Sequence, residues 1–178
     1  ADSRETLVSA TIPETPGSFR ALISAVEPRN VTEFSYRYGS DTRAAVFLGF
    51  QAQGAEDVSV ATQAMRDQGF EVSMGVSFFW LRGLDEGWAW IRGGNELAKA
   101  HTRFLAGGRS PVKDEVLYRF EFPERPGALT NFLDVLNDSG KTAWNVTLFH
   151  YRNHGADIGR VLVGLQLDGV RLKMEPTT

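Results

Sequence analysis

Apolar and polar positions along this chain switch between two periods in a fixed order. Residues 7–12 and 116–122 are rich in β-branched and aromatic side chains and stop at a proline, which predicts two strands. Each is followed by Pro-Gly and then by apolar residues at helical spacing. These are Phe19, Leu22, Ile23 and Val26 in one place, and Leu129, Phe132, Leu133 and Leu136 in the other. Further strands are predicted over 30–38 and 44–51, and again over 144–152 and 159–167. The first half adds a helix over about 55–68 with Val58, Ala61 and Met65 on one side, stopped by Gly69 ahead of a short strand. The order β-α-β-β-α-β is the ferredoxin-like unit. The predicted class is α+β: two tandem ferredoxin-like (βαββαβ) units with mostly antiparallel sheets and helices on one face, the second lacking its last helix and strand.

The two halves match each other in residues as well as in pattern. Ile12-Pro13-Glu14-Thr15-Pro16-Gly17-Ser18-Phe19 aligns with Phe122-Pro123-Glu124-Arg125-Pro126-Gly127-Ala128-Leu129 at an offset of 110. Asn30-Val31-Thr32-Glu33-Phe34-Ser35-Tyr36-Arg37 aligns with Asn145-Val146-Thr147-Leu148-Phe149-His150-Tyr151-Arg152 at an offset of 115, with six identities in eight positions. Val46-Phe47-Leu48-Gly49-Phe50-Gln51 aligns with Val161-Leu162-Val163-Gly164-Leu165-Gln166 at the same offset. The difference of five places a longer turn around Asn137 to Lys141 in the second copy. The chain is an internal duplication.

Composition narrows the chemistry. The net charge is −3, with Lys and Arg scattered among acids, so there is no clustered basic face for nucleic acid. With no cysteine, a disulfide scaffold, a zinc ribbon and a thiol nucleophile are all excluded. No run of about 18 apolar residues suggests a membrane-spanning helix. Ala1-Asp2-Ser3-Arg4-Glu5 lacks a signal-peptide layout and a starting Met, so the chain reads as part of something longer. No metal site is expected. His150 and His154 would stand about 13 Å apart on an extended strand, and no carboxylate cluster converges on them or on His101.

The repeated residues suggest binding. A strand that ends in Pro-x-x-Pro-Gly and opens into a helix presents unpaired N–H groups and the positive end of the helix dipole. Gly17 and Gly127 would let a small carboxylate approach the backbone, as a free amino acid would require. A plain tight turn is the other reading of the same residues. In the second block Phe34 and Tyr36 share one strand face, as do Phe149 and Tyr151, while Arg37 and Arg152 point to the other. A buried Tyr hydroxyl needs a partner, which favours a pocket rim for Tyr36 and Tyr151. The arginines suit either a carboxylate or a solvated edge.

At this point the residues resemble a known family. Thr32-Glu33-Phe34-Ser35-Tyr36-Arg37, the run from Asn95 through Lys99, His101 and Arg103 to Arg109, the run from Phe120 to Leu129, and Trp144-Asn145-Val146-Thr147-Leu148-Phe149-His150-Tyr151-Arg152 are similar to the C-terminal regulatory region of biosynthetic threonine deaminase (threonine ammonia-lyase). The resemblance covers most of the chain, omitting about 73–94 and the last dozen residues. It implies two ACT-like subdomains, over 5–72 and 115–167, joined by an atypical Trp-rich insertion at 73–94 and a linker with a short helix at 95–114. An atypical tail follows at 168–178. It further implies isoleucine as inhibiting effector and valine as antagonist, with Tyr36, Arg103, Tyr151 and Arg152 as effector residues and Gly17 and Gly127 in support.

The residues themselves suggest that this chain is not an enzyme by itself: no catalytic lysine or phosphate cup is recognisable, and Lys99, Lys113 and Lys141 lie in a helix, a linker and a loop. On the resemblance, the chemistry lies elsewhere in the parent enzyme. Pyridoxal phosphate would belong to an N-terminal catalytic domain of the parent enzyme, through which the protein would form a homo-oligomer. The compartment would be the cytoplasm in a bacterium, a plastid or mitochondrion in a eukaryote. A stand-alone ligand sensor, or the effector half of a transcription regulator, remains the alternative output. Two stretches depart from the family, opening at Gly75-Val76-Ser77 and Gly169-Val170-Arg171. Each is read as translated non-coding sequence, because those residues can be spelled by intron-opening bases; the other reading is a surface insertion with Trp80, Trp88 and Trp90 as an apolar patch.

Overall fold

A computed structural model of the chain describes residues 4–74, 112–138, 145–153, 155 and 157–166. The first copy runs β1 (Arg4–Pro13), α1 (Ser18–Val26), β2 (Val31–Arg37), β3 (Arg43–Ala52), α2 (Ala55–Asp67) and β4 (Glu71–Met74). The second runs β5 (Glu115–Pro123), α3 (Ala128–Asp138), β6 (Asn145–Arg152) and β7 (Ile158–Gln166). All six longer strands and the three helices follow the predicted pattern to within a few residues at their ends. The Trp-rich stretch from 75, the short helix expected before 112, Arg103, His101, His154 and the tail all lie outside the described residues.

The local causes are those of the pattern. In β1 the residues Val8, Ala10 and Ile12 are buried while Ser9 and Thr11 between them are not, as a half-buried strand requires. After Pro16 the chain reverses through Gly17 at φ 89°, and after Pro126 through Gly127 at φ 80°. Helix α2 ends in a Schellman motif: Phe70 donates its N–H to the Met65 carbonyl at 3.2 Å and Gly69 donates to Arg66 at 2.8 Å.

The strands do not form two sheets. They form one, in the order β4-β1-β3-β2-β6-β7-β5, with every neighbouring pair antiparallel. The first copy supplies the ferredoxin-like order 4-1-3-2, and the two copies meet edge to edge along β2 and β6. Their register places Phe34 opposite Tyr151, Ser35 opposite His150, and Tyr36 opposite Phe149. Ser35 and His150 are equivalent positions of the duplication, so a pseudo-twofold axis passes between them; Ser35 Oγ lies 3.0 Å from His150 Nδ1. All three helices cover one face. Leu22, Ile23 and Val26 of α1, Ala61 and Met65 of α2, and Leu129 and Leu133 of α3 share a single core with Phe34, Tyr36, Phe149 and Tyr151. Phe19, Phe34 and Phe149 lie edge to face across the seam with ring centroids 5.3–6.2 Å apart. Above them α1 and α3 are tied by Arg20 Nε to Asp134 at 2.8 Å and by Thr130 Oγ1 to Glu27 at 2.7 Å.

On the opposite face the duplication builds a crossed pair of clamps. A bulge at Thr32, and its equivalent at Thr147, interrupts each middle pairing. Thr32 Oγ1 donates to Glu5 at 2.8 Å, and Thr147 Oγ1 donates to Glu115. Each glutamate then takes an arginine from the other copy: Arg152 reaches Glu5 at 2.9 Å and Arg37 reaches Glu115 with both Nη atoms. Arg152 also pairs with Glu33, whose side chain is fully buried. Room for these groups comes from two equivalent glycines. A Cβ on Gly49 would stand 2.7 Å from Thr32 Oγ1, and one on Gly164 would stand 2.7 Å from Thr147 Oγ1 and 2.8 Å from Glu115 Oε1.

Two outcomes follow from the clamps. Gly49→Ala and Gly164→Ala are each expected to destabilise the protein by about 1–3 kcal/mol in urea unfolding, since the added methyl overpacks a closed contact. Gly39→Ala, which meets open space, is the control and is expected to be near neutral. The Arg37 guanidinium, with help from Thr147, holds the Glu115 carboxyl below its ordinary value of 4.5. A lowered carboxyl pKa contributes stability that is present above 4.5 and lost as pH falls through the folded-state value. Glu115→Gln is therefore expected to cost about 1–3 kcal/mol at pH 7. Denaturant unfolding should show the gap to the parent closing as pH drops below 4.5.

Candidate functional site

The Pro-Gly corner of the second copy faces the α1–β2 turn of the first, and a cavity of about 670 Å³ lies between them. That is within the usual 300–1,000 Å³ of small-molecule sites. Its apolar wall is Ile23, Val31 and Leu129 with Pro28 and Pro126. Its polar lining includes Tyr151, Asn153 and Thr130, the carboxylates Glu27 and Glu124, and the guanidiniums of Arg29 and Arg125. An aliphatic surface beside both signs of charge matches the chemistry of a free amino acid with a hydrocarbon side chain.

Tyr151 anchors the cavity floor. Its alternation with Phe149 along β6 turns both rings towards the helices, and the residue is only 1% exposed. Its ring stacks on Phe122 with centroids 6.4 Å apart, and its hydroxyl donates to Glu124 Oε2 at 3.0 Å. Burial, then the neighbouring Glu124 charge, push its pKa well above the ordinary 10.0, so it remains a neutral donor at physiological pH. The first copy repeats the arrangement. Tyr36 donates to Glu14 Oε2 at 2.7 Å, and its hydroxyl pKa is raised by burial first and by Glu14 second. Glu14 is itself raised above 4.5 by burial, against the Tyr36 hydrogen bond. Each tyrosine therefore bonds the glutamate of its own Pro-Glu-x-Pro-Gly corner.

The expected effector residues separate in space. Tyr151 and Gly127 line the cavity. Tyr36 and Gly17 belong to the equivalent first-copy corner, and residues 139–144, between α3 and β6, lie outside the described residues. Arg152 sits on the far face of the sheet from Tyr151, in the clamp with Glu5 and Glu33. Arg103 lies outside the described residues. The half of the cavity contributed by Ile23, Glu27 and Arg29 was not anticipated, because that turn has no matching block in the second copy. Glu14 and Glu124 did carry a signal, since they occupy the same place in the repeated corner. No group of three or more metal-binding side chains gathers among the described residues, and no described helix is long and apolar enough to cross a membrane.

The family model described as the C-terminal regulatory domain of threonine dehydratase matches residues 1–75 and 106–174. The mitochondrial threonine dehydratase of Saccharomyces cerevisiae is 41% identical over 175 residues, covering 93% of this chain and 27% of that protein. The biosynthetic L-threonine dehydratase of Escherichia coli is 40% identical over 168 residues, covering 93% of this chain and 29% of its own length. The chloroplastic biosynthetic threonine dehydratase of Arabidopsis thaliana is 39% identical over 165 residues, covering 92% and 24%. The chain thus spans 24–29% of the length of these relatives. An internally duplicated α+β domain with this cavity and these relatives belongs to the family of C-terminal regulatory domains of threonine dehydratase.

Proposed function

We propose that this domain is the amino-acid sensor of a biosynthetic threonine dehydratase, binding isoleucine as inhibitor and valine as antagonist and acting on a catalytic domain N-terminal to it. The carrying observation is the cavity between the copies, where Ile23, Val31 and Leu129 offer a branched aliphatic side chain an apolar wall beside charged groups of both signs. Because one wall comes from each copy, a ligand that fills the space draws the α1–β2 turn and the second-copy corner together. That gives a ligand a differential hold on two arrangements of the domain, which regulation requires. Tyr36 and its glutamate mark the second, equivalent site. Arg152 acts in this reading by holding the copies in register across the seam.

Pyridoxal phosphate has no fitting site among the described residues. Their one lysine, Lys113, is in the turn before β5, away from the cavity, where its carbonyl accepts from Gln166 at 3.4 Å. The cofactor and the chemistry are assigned to the catalytic part of the parent enzyme, which assembles as a homo-oligomer. The other outputs weighed for such a module, a stand-alone sensor or a transcription regulator, gain nothing from relatives that are threonine dehydratases.

Calorimetric titration of the full-length protein with isoleucine, valine and threonine tests the proposal. Isoleucine and valine are expected to bind. Tyr151→Phe is expected to weaken isoleucine about three- to tenfold through loss of the hydroxyl that fixes Glu124. Binding by none of the three amino acids would sink the sensor reading.

A further inference from the structure

Most polar groups that line the cavity are already committed to partners. Arg29 gives its Nε and Nη2 to Asp57 and its Nη1 to the Val26 carbonyl at 3.2 Å. Glu124 accepts from Tyr151, and Glu27 accepts from Thr130 and faces Arg20 at 3.7 Å. Asn153 Oδ1 takes the Gly155 N–H at 2.7 Å. Arg125 is different: it lines the cavity, and while its carbonyl accepts the Ala128 N–H at 2.9 Å, its side chain makes no hydrogen bond or ion pair among the described residues.

The duplication supplies the comparison. In the first-copy corner the position of Arg125 is held by Thr15, whose short hydroxyl is satisfied locally by Ser18 Oγ at 2.9 Å. One copy thus has a self-contained hydroxyl where the other has a guanidinium without a partner among the described residues. A planar guanidinium presents paired N–H groups that match a carboxylate two to two, which a hydroxyl cannot reproduce. The carboxylates of Glu27 and Glu124 lie in the same lining and suit the ammonium end of the same ligand, with the apolar wall left for its side chain.

We infer that Arg125 is the carboxylate-recognising residue of this cavity, a role that its first-copy counterpart Thr15 has no charge to fill. The inference rests on the sensor reading above and adds which residue reads the acid group and why the copies differ. Arg125 stands at the exposed rim, so its replacement leaves the core untouched.

The test is calorimetric titration of the full-length protein, parent and Arg125→Gln, with isoleucine and with isoleucinamide, which lacks the carboxylate charge. The parent is expected to bind isoleucine and to prefer it to the amide. Arg125→Gln is expected to weaken isoleucine binding about ten- to a hundredfold. It should change amide binding little, so the preference for the acid collapses, and Arg125→Lys should restore part of it. If Arg125→Gln leaves isoleucine binding unchanged, or weakens acid and amide equally, the inference is overturned while the sensor reading stands. If the parent binds neither compound, the sensor reading itself fails.

Discussion

The antiparallel pairing of β2 with β6 joins two copies of one unit into a single sheet, and the side chains that flank it commit each copy to the other. On the outer face Glu5 and Glu115 accept from their own copy's threonine and from the other copy's arginine, so neither carboxylate is fully satisfied by one copy alone. Glu33 raises the stakes, because its carboxylate is fully buried and a buried charge that loses its partner costs about 3–5 kcal/mol. On the inner face the Phe34 and Phe149 rings meet under the two helices. Polar and apolar contacts thus converge on the same few residues about the axis.

The cavity is a consequence of that join. One of its walls is the corner between β5 and α3, and the other is the turn between α1 and β2, so neither copy encloses it alone. The strands of the seam also lead directly to the corners. Tyr36 and Tyr151 occupy the seam strands and bond the corner glutamates, one residue away from the arginines that fasten the outer face. A change in the closeness of corner and turn is therefore applied to the strands that hold the copies together, through side chains rather than through a flexible hinge.

Much of this was legible in the chain itself. Alternation in β1, helical spacing in α1 and α3, and the Pro-Gly stops fixed the elements because each is a local signal. The split of Tyr151 and Arg152 onto opposite faces followed from strand geometry alone. The edge-to-edge join was not legible, since a strand with one buried face reads the same whether its edge is free or paired with a copy of itself. For the same reason Arg152 read as suited to a ligand carboxylate or to a solvated edge, and the ion pair was hidden: the partner Glu5 is 147 residues away in sequence. Arg125 was hidden by its own divergence, because a search for repeated residues passes over the place where the repeats differ.

The order of the strands has one more consequence. The chain leaves the sheet at Met74 in one edge strand and rejoins it at Glu115 in the opposite edge strand, six strand spacings or about 29 Å away. Nothing in the complementarity of the seam itself distinguishes the second copy of the same molecule from that of another. What favours the chain's own copy is local concentration, set by how the intervening residues span that distance. The covalent connection between the halves is thus part of the recognition between them, because it holds each partner near the other at a concentration that a separate molecule would have to exceed.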